Sequence, residues 1–210
     1  MVSDRAIVPV SVSYTTFMSA EAEIEIKFRI ADVSALRETL LALGFREKTP
    51  RTHEINTLYD RPGQPLRRKG QLLRLRQYGS EWLLTHKGRG NAGRHKTRVE
   101  TQTKLEDGEK LAAILAALGY KPSFQYEKFR AEWTDGTGDV LVDETPIGTF
   151  GEIEGTPAWI DATAHKLGID EAQYITANYA SLFLDWKRRT RSKARHMTFA
   201  EVNARLPKDR

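Results

Sequence analysis

The sequence predicts an α+β fold in which one sheet closes, or nearly closes, into a barrel with helices packed on its outside. Eight segments alternate apolar and polar residues with a period of two, the pattern of half-buried strands. Four helical segments are bounded by capping and stop residues. In nearly every strand one face is apolar and the other is charged, so helices can cover the apolar faces while the charged faces look inward.

The first predicted strand spans residues 22–30. Every second residue in it is ionised, and the residues between are apolar. The ionised positions are Glu23, Glu25, Lys27 and Arg29. Taken alone, such a face is best explained by contact with water, but it could also line a cavity that binds an ion or a charged ligand.

The other predicted strands lie near residues 53–60, 72–78, 81–87, 97–103, 125–134, 139–144 and 149–154. Most of them repeat the charged face of the first strand. The polar positions that share a face are Arg74 and Arg76; Thr85 and Lys87; Arg98 and Glu100; Lys128, Arg130 and Glu132; Asp143; and Glu152 and Glu154. A flat sheet would solvate these faces, whereas a closed barrel would line a tunnel with them and would remove the sheet edges. The number of such faces favours the tunnel.

Three of the four predicted helices have start and stop residues. The first two follow the N-capping residues Asp32 and Asp107 and end at Gly44 and Gly119, and the third opens at Thr156-Pro157 and ends at Gly168. The fourth spans residues 170–188. We predict that the segment 170–188 packs against the barrel, and the sequence leaves open a homodimer formed through it.

A short internal echo relates the first two helices. Leu40–Phe45 reads Leu-Leu-Ala-Leu-Gly-Phe, and Leu115–Tyr120 reads Leu-Ala-Ala-Leu-Gly-Tyr. A strand precedes each helix and further strands follow it, which indicates one sheet built from two similar halves. We divide the chain into an N-terminal extension (1–20), a barrel domain (21–188) and a basic C-terminal tail (189–210).

The composition favours anionic partners and excludes thiol chemistry. The 210 residues carry 33 basic and 28 acidic side chains, a net charge of +5. Much of the excess lies in the basic run 186–195, which we interpret as a solvated tail in preference to a nucleic-acid surface. The absence of cysteine excludes disulfides, thiolate catalysis and thiolate-ligated metals, and it fits a cytoplasmic location.

The N-terminal residues and one glycine-rich stretch need separate interpretations. Residues 1–20 loosely imitate a signal peptide, but their polar content makes a poor apolar region, and Met18 could be the true start. No stretch is apolar enough for a membrane span. The glycine-rich stretch 87–94 lacks the residues and the strand-to-helix context of a phosphate-binding loop, so we interpret it as a turn.

A charged tunnel of this kind suits a triphosphate. Unpaired charges in a narrow interior are costly, so acids must pair with bases or be balanced by a bound polyanion and metal ions. Arginine and lysine bind phosphate oxygens, and carboxylates hold Mg²⁺ or Mn²⁺, which commonly bridge protein and phosphate.

The ordered motifs resemble those of the CYTH, or triphosphate tunnel metalloenzyme, superfamily. The opening signature is Glu23-x-Glu25-x-Lys27. The later motifs match in order: Leu58-Tyr-Asp60, Leu73-Arg-Leu-Arg76, Leu84-Thr-His-Lys-Gly88, Arg98-x-Glu100, Lys128-x-Arg130, Asp143 and Glu152-x-Glu154. The resemblance covers about residues 21–185. It implies an eight-stranded antiparallel β-barrel around a triphosphate tunnel, and it makes 21–188 a CYTH domain.

Within the superfamily the chain is most similar to the CyaB-type, or class IV adenylate cyclase, branch. The similarity lies in the helix that runs from Leu36 to Gly44, the stretch 146–154, and a closing helix with Asn178-Tyr-Ala-Ser-Leu-Phe183. The segment 58–61 lacks the family's usual aromatic pair before Asp and Thr after it, so no base or sugar contact is assigned there.

The resemblance implies metal-dependent chemistry on a triphosphate. The implied metal ligands are Glu23, Glu25, Glu152 and Glu154, with Asp143 and Glu100 as secondary candidates. The implied phosphate-binding residues are Lys27, Arg74, Arg76, Lys87, Arg98, Lys128 and Arg130. Glu23, Glu25, Lys27 and Lys87 are the implied catalytic residues. Adenylate cyclase is the first choice, hydrolysis of tripolyphosphate or thiamine triphosphate is the alternative, and a non-catalytic polyphosphate or nucleotide binder is the third.

Overall fold

The computed structural model describes residues 21–203. The predicted N-terminal extension, with the alternative start at Met18, and residues 204–210 lie outside the described residues. The nine strands are β1 (Glu21–Arg29), β2 (Arg46–Asp60), β3 (Leu72–Tyr78), β4 (Glu81–Lys87), β5 (Asn91–Ala92), β6 (Lys96–Leu105), β7 (Lys121–Thr134), β8 (Asp139–Thr145) and β9 (Gly148–Glu154).

Eight of these strands close into an antiparallel barrel. Their order is β1-β9-β8-β7-β2-β3-β4-β6, and β6 pairs back to β1. The short β5 pairs only with β6. The predicted closed sheet is therefore confirmed. The strands β2 and β7 begin earlier than predicted, because their first residues are largely exposed on both faces and carry no period-two pattern.

The helices lie on the outside of the barrel. They are α1 (Val33–Ala42), α2 (Pro65–Arg68), α3 (Gly108–Ala117), α4 (Pro157–Lys166), α5 (Tyr179–Thr190) and α6 (Phe199–Asn203). The predicted caps Asp32 and Asp107 are confirmed, since their side chains accept hydrogen bonds from backbone N–H groups in the first turns of α1 and α3. The Thr156 side chain caps α4 in the same way, one residue before Pro157. Within 21–203, no helix combines the length and apolarity that crossing a bilayer requires.

The predicted helix 170–188 is wrong over its first part. Only Glu171–Gln173 form a 3₁₀ turn, and the chain is then extended until α5 begins after its N-cap Asn178. The reason lies in β1. Beyond Glu25, β6 no longer pairs with β1, and Ile175 exchanges two backbone hydrogen bonds with Lys27 there, of 3.0 and 2.8 Å. An extended segment satisfies this free edge, and a helix could not.

The outer apolar faces of the strands form the core with the helices. Leu40 of α1 and Ile160 of α4 are fully buried against Ile26 and Trp133 of the barrel. On the other half, Leu115 of α3 is buried in a separate cluster with residues of β2 and β3. The two leucines occupy the same place in the internal echo, which is thus a repeated helix-on-barrel packing.

The basic segment after α5 is folded through Asn203. Ala194, Met197 and Val202 are fully buried in a cluster with Tyr126 and Phe183. The backbone of Met197 hydrogen-bonds to β7 on the side that β8 leaves unpaired. The prediction of a wholly solvated tail is therefore wrong for this part, because three apolar residues among the charges suffice to anchor it.

Gly151 illustrates how closely the core packs. A Cβ added at this position would lie 2.1 Å from the ring of Phe28, its cross-strand partner. We expect Gly151→Ala to lower the free energy of unfolding by about 1–3 kcal/mol, since the ring must move within a filled core. Urea denaturation checks this result, with Gly93→Ala as the control, because its Cβ would meet nothing nearer than 3.9 Å. Equal stability of the two variants would contradict the packing described.

Candidate active site

The charged faces of the strands line a cavity inside the barrel. It contains about 650 Å³ of unoccupied space, including the part open to solvent. All seven predicted phosphate-binding residues line it, and so do four of the six predicted metal ligands, Glu23, Glu25, Glu152 and Glu154. Asp143 and Glu100 lie behind this lining, each in contact with basic side chains that belong to it.

The lining has an excess of positive charge. Eight basic side chains and four carboxylates face the cavity, and Glu54, Glu100 and Asp143 pair with these bases from behind the lining, so the bases exceed the acids by one. The eighth base is Lys96, which the sequence analysis did not select. Lys96 shares a strand face with Arg98 and Glu100, so an extension of the same period-two pattern by one step would have found it.

Three carboxylates converge at one place in the cavity. Glu23, Glu25 and Glu154 each offer an oxygen, and these oxygens lie within 4.8 Å of one another. The sheet register explains the meeting, because Glu25 of β1 is directly opposite Glu154 of β9. A set of carboxylate oxygens matches the ligands that Mg²⁺ and Mn²⁺ prefer. The residues therefore fit a hard divalent cation.

The other three predicted metal ligands lie in ion pairs with bases. The Glu152 carboxylate is 2.8 Å from Lys27 Nζ and 2.6 Å from an Arg130 nitrogen. Glu100 is 2.6 Å from Lys87 Nζ. Asp143 receives hydrogen bonds from Lys128 and Arg130. These three carboxylates are counter-ions of tunnel bases, a role that Glu23 and Glu25 share through Lys87 and Lys27.

Asp143 is the centre of the most buried of these networks. It is fully buried, and it accepts two hydrogen bonds of 2.7 Å from Arg130 and one of 2.8 Å from Lys128. The Tyr179 hydroxyl donates a fourth, of 2.6 Å. The Lys128 ammonium also lies 5.1 Å from the centre of the Tyr179 ring. This network holds two of the phosphate-binding candidates in fixed positions.

The buried ionisable groups keep their charges because they are paired. Burial alone would lower the pKa of Lys27, but the Glu152 and Glu25 carboxylates raise it above its usual value. Burial likewise opposes the ionised form of Glu152, yet Lys27 and Arg130 hold the pKa of that carboxyl well below its usual range. The tunnel is thus fully ionised at these positions near neutral pH.

Glu54 is a further site residue that the sequence analysis missed. It is fully buried, 3.4 Å from Arg76 and 3.5 Å from Lys128, and it accepts a hydrogen bond from Asn56. Its second carboxylate oxygen has no partner among the described residues. Burial opposes its ionisation, but Arg76 and Lys128 lower the pKa of Glu54. Glu54 and Asn56 alternate on one face of β2, so the pattern was available in the sequence.

Tyr179 was missed for a different reason. It is the first residue of α5, and its ring reaches the tunnel only because the helix begins at the barrel opening. The sequence analysis had placed this residue in the middle of a longer helix, from which no contact with the tunnel could be inferred. Tyr126, in contrast, shares the inward face of β7 with Lys128 and Arg130.

Glu154 differs from the other carboxylates in its charge state. Burial, then the negative charge of Glu152, raises the pKa of Glu154 to about 8. Because the folded state holds a proton that the unfolded state releases, stability is lost as the pH rises between about 5 and 8. The slope from this group is about 1.4 kcal/mol for each pH unit.

We therefore expect Glu154→Gln to remove this pH dependence in metal-free protein. Unfolding by urea in the presence of a chelator, at pH 5 and at pH 8, measures the difference between variant and wild type. The variant should gain stability relative to wild type as the pH rises, by up to about 1.4 kcal/mol per unit. A constant difference would show that Glu154 is already ionised at pH 5.

One end of the tunnel opens into a second pocket, which we call the mouth pocket. The inward faces of β2, β3 and β7 change there from charged to apolar residues, at Leu58, Leu72 and Phe124. Leu58 and Phe124 are cross-strand neighbours. The mouth pocket contains about 1120 Å³ of open space and shares five lining residues with the tunnel. A ligand with a charged end and an apolar end could therefore occupy both.

Comparisons with known proteins agree with this architecture. The chain is 26% identical over 175 residues to the adenylate cyclase CyaB of Aeromonas hydrophila, a match that covers 76% of this chain and 87% of the relative. A crystal structure of a candidate adenylate cyclase from Vibrio parahaemolyticus has a TM-score of 0.70 at 19% identity, and covers 79% of this chain and 99% of its own.

A third similar structure comes from Hippeastrum and is described as a candidate adenylyl cyclase with a dominant triphosphatase activity. Its TM-score is 0.58 at 20% identity, and the match covers 78% of this chain and 95% of that chain. These structural likenesses show the same fold. The family model described as CYTH domain matches residues 21–179, which include every strand of the barrel. The chain therefore belongs to the CYTH domain family.

Proposed function

We propose that this protein is a divalent-metal-dependent enzyme that acts on an organic triphosphate, and that its reaction is the conversion of ATP to cyclic AMP and pyrophosphate. The observation that carries the proposal is the arrangement of the cavity. A tunnel lined by eight basic side chains lies beside three converging carboxylates, and it leads into an apolar-walled pocket.

The tunnel supports a triphosphate as the ligand. Its bases come from opposite walls of the barrel: Lys27 from β1, Arg74 and Arg76 from β3, and Lys128 and Arg130 from β7. Phosphate oxygens that enter the tunnel can accept hydrogen bonds from all these walls at once.

The carboxylates of Glu23, Glu25 and Glu154 would hold Mg²⁺ or Mn²⁺. A divalent ion there supplies phosphate charge neutralisation and acidifies an attacking hydroxyl or water. The chain's own contribution is orientation and charge stabilisation. Lys27 Nζ lies 3.2 Å from Glu25 of the carboxylate group, and Lys87 bridges Glu23 and Glu100 at 2.6 Å each. Both can stabilise the charge that develops on a leaving phosphate.

The mouth pocket supports an organic triphosphate over bare tripolyphosphate. A flat ring can rest against Leu58 and Phe124 while its phosphate chain extends into the tunnel. In the cyclase reaction, the ribose 3′-oxygen attacks the α-phosphorus and pyrophosphate leaves. Triphosphate hydrolysis is the second candidate. The Hippeastrum protein of the same fold, described as having a dominant triphosphatase activity, is the observation in its favour.

One assay separates these functions. Purified protein is incubated with Mg²⁺ or Mn²⁺ and with either ATP or tripolyphosphate, and the products are resolved by chromatography. Cyclic AMP with pyrophosphate supports the cyclase, and orthophosphate supports hydrolysis. Binding of ATP without turnover would leave only a nucleotide-binding module, and the proposed enzymatic function would then be rejected.

A further inference from the structure

The mouth pocket carries positive charge that no carboxylate of residues 21–203 neutralises by an ion pair. Arg67 of α2, Lys187 of α5 and Arg195 after α5 line it, together with Arg98 from the tunnel. The Arg98 guanidinium donates to the backbone carbonyl oxygens of Gly70 and Gly88. Among residues 21–203, none of these four cations has a carboxylate within ion-pair distance.

The side chains of Arg67 and Lys187 contact neutral groups. The Arg67 guanidinium donates to the neutral amide of Gln64, at 3.2 Å. The Lys187 ammonium lies over the ring of Phe183, 5.6 Å from its centre. Near Arg195, the carboxylate of Glu201 accepts the backbone N–H of that residue.

Of the carboxylates in residues 21–203, only Asp60 lines the mouth pocket, and it is already occupied. Asp60 is buried and accepts backbone N–H groups of Arg61, Leu66 and Arg67 at 2.8–3.2 Å. It therefore organises the start of α2 and does not pair with a side-chain cation. In the tunnel, by comparison, seven of the eight bases lie within 4.0 Å of a carboxylate, Arg98 being the exception.

One face of α5 connects the tunnel to these cations. Ala180, Leu184 and Lys187 follow each other at helical spacing, and all three line the mouth pocket. Leu184 leaves 46% of its surface exposed there. Along this face the lining residues change from a small one to an apolar one to a basic one. From the tunnel outward, the side chains are therefore first those that can bind a triphosphate, then apolar ones, then a second group of cations.

We infer that the mouth pocket binds a second anionic group: a phosphate carried on the organic part of the triphosphate ligand. The ligand class is a nucleoside 5′-triphosphate with a further phosphate monoester on its ribose. This inference rests on the proposed function for the triphosphate end. A 3′-phosphate blocks the oxygen that cyclisation requires, so such a ligand would be hydrolysed by the enzyme or would inhibit the cyclase.

The elements that supply this site extend beyond the family match. The matched residues end at 179, whereas Lys187 and Arg195 follow that boundary. The burial of Ala194 and Met197 fixes the backbone on either side of Arg195 and holds this side chain at the pocket. Lys187 and Arg195 therefore lie outside the part of the chain that the family model matches, whereas Arg67 and Arg98 lie within it.

Calorimetric titrations in metal-free buffer, where no turnover is expected, test the inference. Two ligand pairs differ only by the extra phosphate: ATP against adenosine 3′-phosphate 5′-triphosphate, and AMP against adenosine 3′,5′-bisphosphate. We expect the extra phosphate to tighten binding about tenfold or more in each pair, since hydrogen bonds to charged groups are strong. In the double variant Lys187→Gln/Arg195→Gln, the gain should fall below about threefold, with ATP affinity little changed.

The matched control is Arg188→Gln/Lys193→Gln, which removes the same charge from side chains of the same segment that do not line the pocket. It should keep the full gain. Equal binding with and without the extra phosphate in wild type, or an equal loss of the gain in the control, would overturn the inference. If ATP is turned over and the extra phosphate has no effect, only this inference fails. If the phosphate effect appears and no triphosphate is turned over, only the proposed function fails.

Discussion

Replacing Glu23 and Glu25 together by Gln is expected to lower metal-dependent turnover by about 10³-fold or more, because two of three converging carboxylates lose their charge. Glutamine keeps the shape of each side chain but is a poor ligand for Mg²⁺ or Mn²⁺. The test measures product formation from ATP and tripolyphosphate over a range of metal concentrations. Titration of the metal itself, followed by calorimetry, provides a readout of binding that is independent of activity.

The fold should survive this double change. Lys27 keeps its 2.8 Å contact with Glu152, so it does not become an unpaired buried charge. Removal of two negative charges also relieves Glu154, whose ionisation they oppose. Glu38→Gln/Glu47→Gln, at exposed positions outside the tunnel, is the matched control and should retain full activity. Wild-type turnover in the Glu23/Glu25 variant would refute the assignment of these residues to the metal.

Period-two alternation was sufficient to predict the barrel, because each strand must separate its apolar outer face from its charged inner face. It therefore also predicted which side chains share the tunnel, including Lys27 on β1 and Arg130 on β7. The register of neighbouring strands could not be obtained in this way. The pairing of Glu25 with Glu154 in the sheet is what shows which carboxylates converge. Glu152, two residues before Glu154 on β9, forms ion pairs with Lys27 and Arg130 instead.

The elements that cover the barrel openings were the least predictable. Ile175 and Met197 are extended because neighbouring strands end and leave backbone groups free, a condition that exists only in the assembled sheet. The same limit concealed Tyr179, since a side chain at the start of a helix shows no periodicity. Local sequence patterns thus predict the strands of the barrel, whereas long-range backbone pairing determines which segments cover its openings.

The Asp143→Asn substitution is expected to cost about 3–5 kcal/mol of unfolding free energy, because Lys128 and Arg130 would lose their shared buried counter-ion. Asparagine can accept at one oxygen only, and its amide hydrogens would face the two cations and the Tyr179 hydroxyl. Urea denaturation measures the loss. Asp139→Asn is the control on the same strand: its partner Lys48 is largely exposed, and such surface pairs contribute at most about 1 kcal/mol.

The same variant decides between the two roles considered for Asp143. If Asp143 is a counter-ion that positions Lys128 and Arg130, the folded variant should bind Mg²⁺ or Mn²⁺ as wild type does, while KM for the triphosphate rises at least about tenfold, since both bases lose their fixed positions. If it is a metal ligand, as the sequence analysis allowed, the affinity for Mg²⁺ or Mn²⁺ should fall. The four hydrogen bonds that Asp143 already accepts favour the first outcome, since they leave its carboxylate little capacity to hold an ion.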